Sequence, residues 1–141
     1  VGVVLIENQE QNLISKELKT YKLPEKSSSV YDNLTEKEKI IFLAGVFDGE
    51  GSFGIWSKVK TKKYFACSVE MTDKDMVKRF HNFFGGTFYL CKKRREHHKD
   101  TWRWRINGKG ALNTIDIMVD YLSIRRKEKF KNVVQCLKIS A

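Results

Sequence analysis

The sequence predicts an α+β domain in the order helix, hairpin, helix, hairpin, helices. Three observations predict it. The hydrophobic period is helical after Thr35, changes to two, returns to helical and repeats the cycle. Glycines stand at the changes: Gly49 and Gly51, Gly85 and Gly86, Gly108 and Gly110. The single proline of the 141 residues, Pro24, precedes all of these elements. This length suits one domain with a short appendage and is enough to bury a core.

Ahead of that pattern, Leu13, Ile14, Leu18 and Tyr21 fall at helical spacing. Pro24 and Ser27 to Ser29 then read as a linker. Residues 1–34 are therefore expected to be an N-terminal extension with a short helix, and 35–141 the principal domain. Thr35 followed by Glu38 has capping-box spacing and opens a helix expected to stop at Gly49 or Gly51. From Ser52, Phe53 and Ile55 alternate with Gly54, Trp56 and Lys58; after the polar turn at 60–63, Phe65, Cys67, Val69 and Met71 alternate with Tyr64, Ala66, Ser68 and Glu70. Such alternation makes a hairpin with one apolar face. Asp73 stands at the N-cap of a second helix with the stripe Met76, Val77, Phe80, Phe83 and Phe84, ended by Gly85 and Gly86. A second hairpin pairs Phe88 and Leu90 with Trp102, Trp104 and Ile106 on its apolar face. Two helices near 111–122 and 125–139 close the chain. Leu112, Ile115, Val119 and Leu122 stripe the first, and Phe130, Val133, Val134 and Leu137 the second.

Composition removes several classes of function. A hydrophobic fraction of 41% is too high for a disordered chain. The longest apolar or glycine run, Ile40 to Phe47, is eight residues, too short to span a membrane. No basic stretch followed by an apolar segment marks a secretory signal. Cys67, Cys91 and Cys136 are odd in number and far apart, which argues against a disulfide framework and for an intracellular, reducing compartment. Cys91 with His97 and His98 matches no common zinc spacing.

The net charge of +10 is unevenly placed. Residues 1–56 carry six basic and nine acidic side chains, 57–109 carry fifteen and five, and 110–141 carry six and three. The middle segment thus has a balance of +10, interleaved with Trp56, Tyr64, Tyr89, Trp102 and Trp104. A localised basic field with aromatics points to a polyanion partner. The expected solvent face of the two hairpins holds Trp56, Lys58, Tyr64, Ser68, Glu70, Tyr89, Lys93, Arg103 and Arg105. A twisted antiparallel ribbon bearing such side chains can enter a DNA major groove and read base edges.

Chemistry concentrates in Leu43-Ala44-Gly45-Val46-Phe47-Asp48-Gly49-Glu50-Gly51. Gly45 and Gly49 share one helical face, where a second backbone can approach closely. Two interior glycines cost roughly 1 kcal/mol each, which suggests that packing requires them. Asp48 and Glu50 lie at the helix end, where the dipole does not favour carboxylates, so a bound hard cation such as Mg²⁺ is expected.

This segment resembles the signature of the LAGLIDADG homing endonucleases. Leu43, Ala44, Gly45, Asp48 and Gly51 match the namesake letters, and Glu50 replaces the second aspartate. The resemblance extends over about residues 35–139. It implies the LAGLIDADG endonuclease fold with an antiparallel DNA-binding sheet, and site-specific hydrolysis of both strands of double-stranded DNA. It implies Glu50 as the metal-binding acid, with Gly49 at the same site. Asp73 would orient water, and Arg125 would be the active-site basic residue, with Arg126 and Lys127 as neighbours. Mg²⁺ is the implied cofactor, Mn²⁺ a substitute, and Ca²⁺ a support for binding without cleavage. Ser52 joins the open-face residues in contacting DNA. A single motif implies a homodimer formed through Ala44, Gly45, Asp48 and Gly49, acting on a pseudo-palindromic target. Alternatives are an RNA-binding intron maturase, a regulator of the same fold that does not cleave, and a non-specific basic binding domain.

Overall fold

The computed structural model describes residues 30–59 and 62–140. The helix expected at 13–21 and its linker lie outside the described residues. In the first unit, 1–34, the described residues form a 3-10 turn over Val30–Asn33. Thr35–Ala141 forms the other compact unit. Its elements are α1 (Glu36–Glu50), β1 (Gly51–Val59), β2 (Lys62–Met71), α2 (Lys74–Phe84), β3 (Thr87–Cys91), β4 (Thr101–Asn107), α3 (Gly108–Met118), a 3-10 turn (Val119–Tyr121) and α4 (Ile124–Ser140). The predicted α+β class and element order hold.

The two hairpins are joined into one four-stranded antiparallel sheet in the order β1-β2-β4-β3. Cys67 sits opposite Phe53 on one side and Ile106 on the other, so the apolar rows of both hairpins become one surface. Phe47, Phe53, Phe65 and Phe130 pack there with ring centroids of neighbouring pairs 6.0–6.2 Å apart, binding α1 and α4 to β1 and β2. Each fully buried ring contributes about 1.5–3 kcal/mol of transfer free energy. A second cluster packs Phe80 and Phe84 of α2 on Trp104. Trp104 is fully buried, and its indole N–H donates to the Gly85 carbonyl at 2.7 Å, which satisfies its polar edge.

Local sequence explains the boundaries. Thr35 closes a capping box on α1: its hydroxyl accepts from the Glu38 N–H, and the Glu38 carboxylate accepts from the Thr35 N–H. Gly51 caps the other end, donating its N–H to the Phe47 carbonyl with an ordinary extended backbone. Its lack of a side chain matters for another reason: a Cβ there would lie within 2.6 Å of three carbons of the Phe47 ring. Asp73 stands at the N-cap of α2, but its carboxylate makes no capping hydrogen bond. Gly85 and Gly86 end α2 with positive φ, and a Cβ on Gly86 would strike the Arg105 carbonyl.

Three expectations shift. Gly108, at positive φ, opens α3 rather than merely breaking the strand. The buried stripe of α3 is Ala111, Thr114, Ile115 and Met118, with Leu112 and Val119 only partly covered. The early glycine start brings Ala111 and Thr114 onto the sheet, and the Thr114 hydroxyl bonds to the Gly110 carbonyl at 2.8 Å. Ala66, expected on the open face, is buried: it lies on a central strand, paired with Gly54 and Asn107, and the Arg105–Tyr64 hydrogen bond bridges the positions on either side of its small side chain.

Candidate active site and nucleic-acid interface

Antiparallel register places the outward side chains in rows across all four strands. Ser52, Ser68, Arg105 and Thr87 form one row; Glu70, Arg103 and Tyr89 form another; Trp56 and Tyr64 form a third. Side chains within such rows lie close enough to bond one another. The Arg103 guanidinium donates to Glu70 at 3.0 Å and to the Tyr89 hydroxyl at 3.3 Å. The Tyr89 bond, followed by the Glu70 charge, holds the Arg103 pKa above its ordinary value. Arg105 donates to Asn107 at 3.1 Å and to the Tyr64 hydroxyl at 3.3 Å, with Trp56 5.4 Å away across a cation–π contact. Both arginines are thus held at fixed positions and remain partly exposed, as an interface that reads edges requires.

The predicted open-face residues fall into three groups. Ser52, Trp56, Tyr64, Ser68, Glu70, Tyr89, Arg103 and Arg105 stand together on the sheet. Lys93 lies beyond the end of β3, in the 92–100 loop, where its main-chain N–H donates to Asp100 at 2.7 Å. The Lys58 side chain is outside the described set. Asn107 and Thr87 belong to the same face and were not singled out from the sequence, although the alternation 101-103-105-107 carries the first of them.

At one end of the sheet the motif helix meets β1. Register puts the start of β1, the end of β2 and the start of β4 at this end, so Glu50, Asp73 and the 92–100 loop all lie there. Glu50 is exposed, and no hydrogen bond or ion pair engages it among the described residues. Asp48 behaves differently. Its carboxylate accepts the Ser123 N–H at 2.9 Å and lies 3.7 Å from the Arg126 guanidinium. The positive end of α4 therefore supplies the countercharge that sequence reasoning assigned to a cation. That bond also brings Arg125, in the first turn of α4, to the end of α1 that carries Glu50.

The motif helix presents two sides. Leu43, Ala44 and Phe47 are fully buried within their own chain, so Ala44 belongs to the core and not to the free face. Ile41, Gly45 and Gly49, spaced by four, are exposed, and a Cβ on either glycine would meet nothing within 4 Å. Asp48 turns toward Ser123, leaving Gly45 and Gly49 of the four predicted contact residues on the open side.

A metal ion would draw on Glu50 and the main-chain carbonyls at the open helix end near Gly49. Among the described residues no group of three or more His, Cys, Asp or Glu side chains gathers. One carboxylate with otherwise water and phosphate oxygens suits Mg²⁺, which keeps several waters and shares its coordination with a bound phosphate.

Lys129 was missed from the sequence. It stands four residues after Arg125, and its ammonium donates to the Phe53 carbonyl at 2.6 Å. Burial, with Arg126 and Arg125 nearby, holds its pKa below the ordinary lysine value. The signal available was the i, i+4 spacing of two cations ahead of buried Phe130.

No curated protein matches the sequence. Among solved structures, the homing endonuclease I-CvuI in complex with its target aligns with a TM-score of 0.56 at 20% identity, covering 72% of this chain and 67% of that one. The group I intron-encoded homing endonuclease I-CeuI complexed with DNA aligns at 0.54 and 16% identity, over 98% and 68%. The LAGLIDADG meganuclease I-AabMI bound to uncleaved DNA aligns at 0.54 and 18%, over 71% of this chain and 36% of that one. At these identities the likeness is one of fold. The family model described as LAGLIDADG endonuclease matches residues 43–139, from the motif helix to the end of α4, and the chain belongs to that family.

Proposed function

We propose that this endonuclease hydrolyses both strands of double-stranded DNA at a specific, roughly palindromic site, acting as a homodimer with a divalent cation held by Glu50. The observation that carries the reading is the juxtaposition of a polar sheet face, with Arg103 and Arg105 held in place, and an unengaged Glu50 at its end. I-CvuI has been solved in complex with DNA in the presence of Ca and of Mg, which supports divalent-cation use here. The exposed Ile41, Gly45 and Gly49 row supports close packing of two motif helices. Two-fold symmetry then places two copies of Glu50 at the centre and two sheets along the duplex.

The chain's own residues have separable tasks. Arg103 and Arg105 present planar donors suited to guanine O6 and N7, and Glu70 an acceptor suited to cytosine N4. Tyr64 and Tyr89 hold the arginines and lower the entropy lost on binding. Arg125, permanently charged, stabilises negative charge on the scissile phosphate and carries no proton. Asp73 orients water, a role supported by its exposure and by a carboxylate free of a capping bond. When bound, the cation supplies an acidified water and neutralises phosphate charge.

The test is in vitro cleavage selection from a randomised DNA library with Mg²⁺. Enrichment of one roughly palindromic sequence is the expected result. Uniform degradation would mean a non-specific nuclease. Binding without cleavage would mean a regulator, and activity only in an intron-splicing assay would mean a maturase.

A further inference from the structure

β1 is an edge strand of the sheet, so its outward carbonyls lack a strand partner among the described residues. The Phe53 carbonyl instead accepts the Lys129 ammonium at 2.6 Å, and the same ammonium lies 4.8 Å from the Phe53 ring centroid. Phe53 is three residues after Glu50 and is buried in the aromatic cluster, so this carbonyl is a fixed point. One turn earlier on α4, Asp48 holds the Ser123 N–H and the Arg126 guanidinium. Beside the packing of Phe130, the first turns of α4 therefore have two polar attachments to the motif end of the molecule, one through Asp48 on α1 and one through Lys129 on β1. Arg125 stands within the first attachment, between Ser123 and Arg126 and one turn before Lys129, with its own side chain exposed.

Resting on the endonuclease reading above, we propose that Lys129 is a positioning residue for cleavage, fixing where Arg125 stands relative to Glu50 by fastening α4 to the Phe53 carbonyl. Ring packing at Phe130 leaves small shifts of the helix along the aromatic surface open, and a directional bond one turn beyond Arg125 restricts them. The bond is charge-assisted and part-buried, and so stronger than a neutral one. Burial and the neighbouring arginines act against the lysine charge, while the carbonyl and the Phe53 ring face favour it. A misplacement of about 1 Å at a reacting centre can cost a factor on the order of a hundred in rate.

The experiment is a double-mutant cycle on the full-length chain with its selected DNA target. Lys129→Met should lower the single-turnover cleavage rate at saturating DNA by about tenfold to a hundredfold. Binding in Ca²⁺ should stay within about twofold, because the lysine acts through the enzyme and not on phosphate. Lys129→Arg, which keeps a donor and a charge, should recover most of the rate. In an Arg125→Ala background, Lys129→Met should have little further effect, since the residue it positions is gone. An unchanged rate in Lys129→Met would overturn the proposal, as would additive losses in the cycle. Affinity falling in step with rate would overturn it in favour of a DNA-contacting lysine. Loss of folding in Lys129→Met together with failure of Lys129→Arg to restore the rate would also refute it. A wild-type chain that cleaves no DNA would overturn the endonuclease reading, and this inference with it.

Discussion

Replacing Gly51 by alanine should destabilise the fold through a single contact. The added Cβ would fall within 2.6 Å of three carbons of the Phe47 ring. That ring cannot retreat freely. It is fully buried, stacked on Phe53 at 6.2 Å, with the Arg126 guanidinium 5.6 Å from its centre. The backbone at Gly51, φ −85° and ψ 161°, suits alanine, so the penalty is steric and not conformational. Overpacking of this kind costs about 1–3 kcal/mol. Restricting the unfolded chain returns about 0.4–1 kcal/mol, leaving a net loss of roughly 1–2 kcal/mol. For a domain of this size that lowers Tm by roughly 5–15 °C. Gly45 is the contrast within the same motif, because a Cβ there meets nothing within 4 Å of its own chain. Gly45→Leu should leave the chain folded and move it from dimer to monomer. Thermal unfolding by circular dichroism and sedimentation velocity report the two effects. A Gly51→Ala protein with native Tm would refute the packing argument. A native chain that is monomeric both free and on DNA would refute the dimer.

Two further predictions come from the sheet. If Arg105 contacts a guanine edge, Arg105→Ala should cost roughly 1–3 kcal/mol of binding and relax preference at one base pair, measured by gel shift across target variants. Retained affinity and preference after removing Arg103 and Arg105 together would mean that another face meets DNA. Burial pushes the Cys67 thiol from 9.0 up to about 12. The folded state then keeps its proton where the unfolded state releases it, so this contribution is complete below pH 9 and is lost progressively as pH rises towards 12. Denaturant midpoints between pH 8 and 10.5 should fall more steeply for the native chain than for Cys67→Ala, and equal slopes would contradict the assignment.

Much of the architecture was legible because local signals agreed with the tertiary structure. Thr35 and Glu38 announced α1, and the alternation through Phe65, Cys67 and Val69 announced a half-buried strand. The joining of two hairpins through β2 and β4 was not legible, since pairing register between distant strands leaves no mark at short range. Glycine roles were read only in part. Gly51 looked like a helix stop, and the reason it lacks a side chain is a ring four residues earlier. Asp48 shows the same limit. Its sequence position suggested a cation, whereas its partner is the Ser123 N–H, 75 residues away. Lys129 reads as one more solvated charge until its carbonyl partner is seen. Sequence reasoning thus located the open face and the acid end of the motif. The long-range polar bonds that arrange them required the fold.

If Glu50 holds the cation, it serves cleavage much more than binding. Glu50→Gln keeps the size of an exposed side chain at the end of α1 and removes its charge. The paired measurement is gel-shift affinity in Ca²⁺ and cleavage rate in Mg²⁺ on the selected target. Loss of cleavage with affinity unchanged or slightly tighter is the result expected, because a negative charge close to the DNA backbone has been removed. Full cleavage by Glu50→Gln would contradict the account.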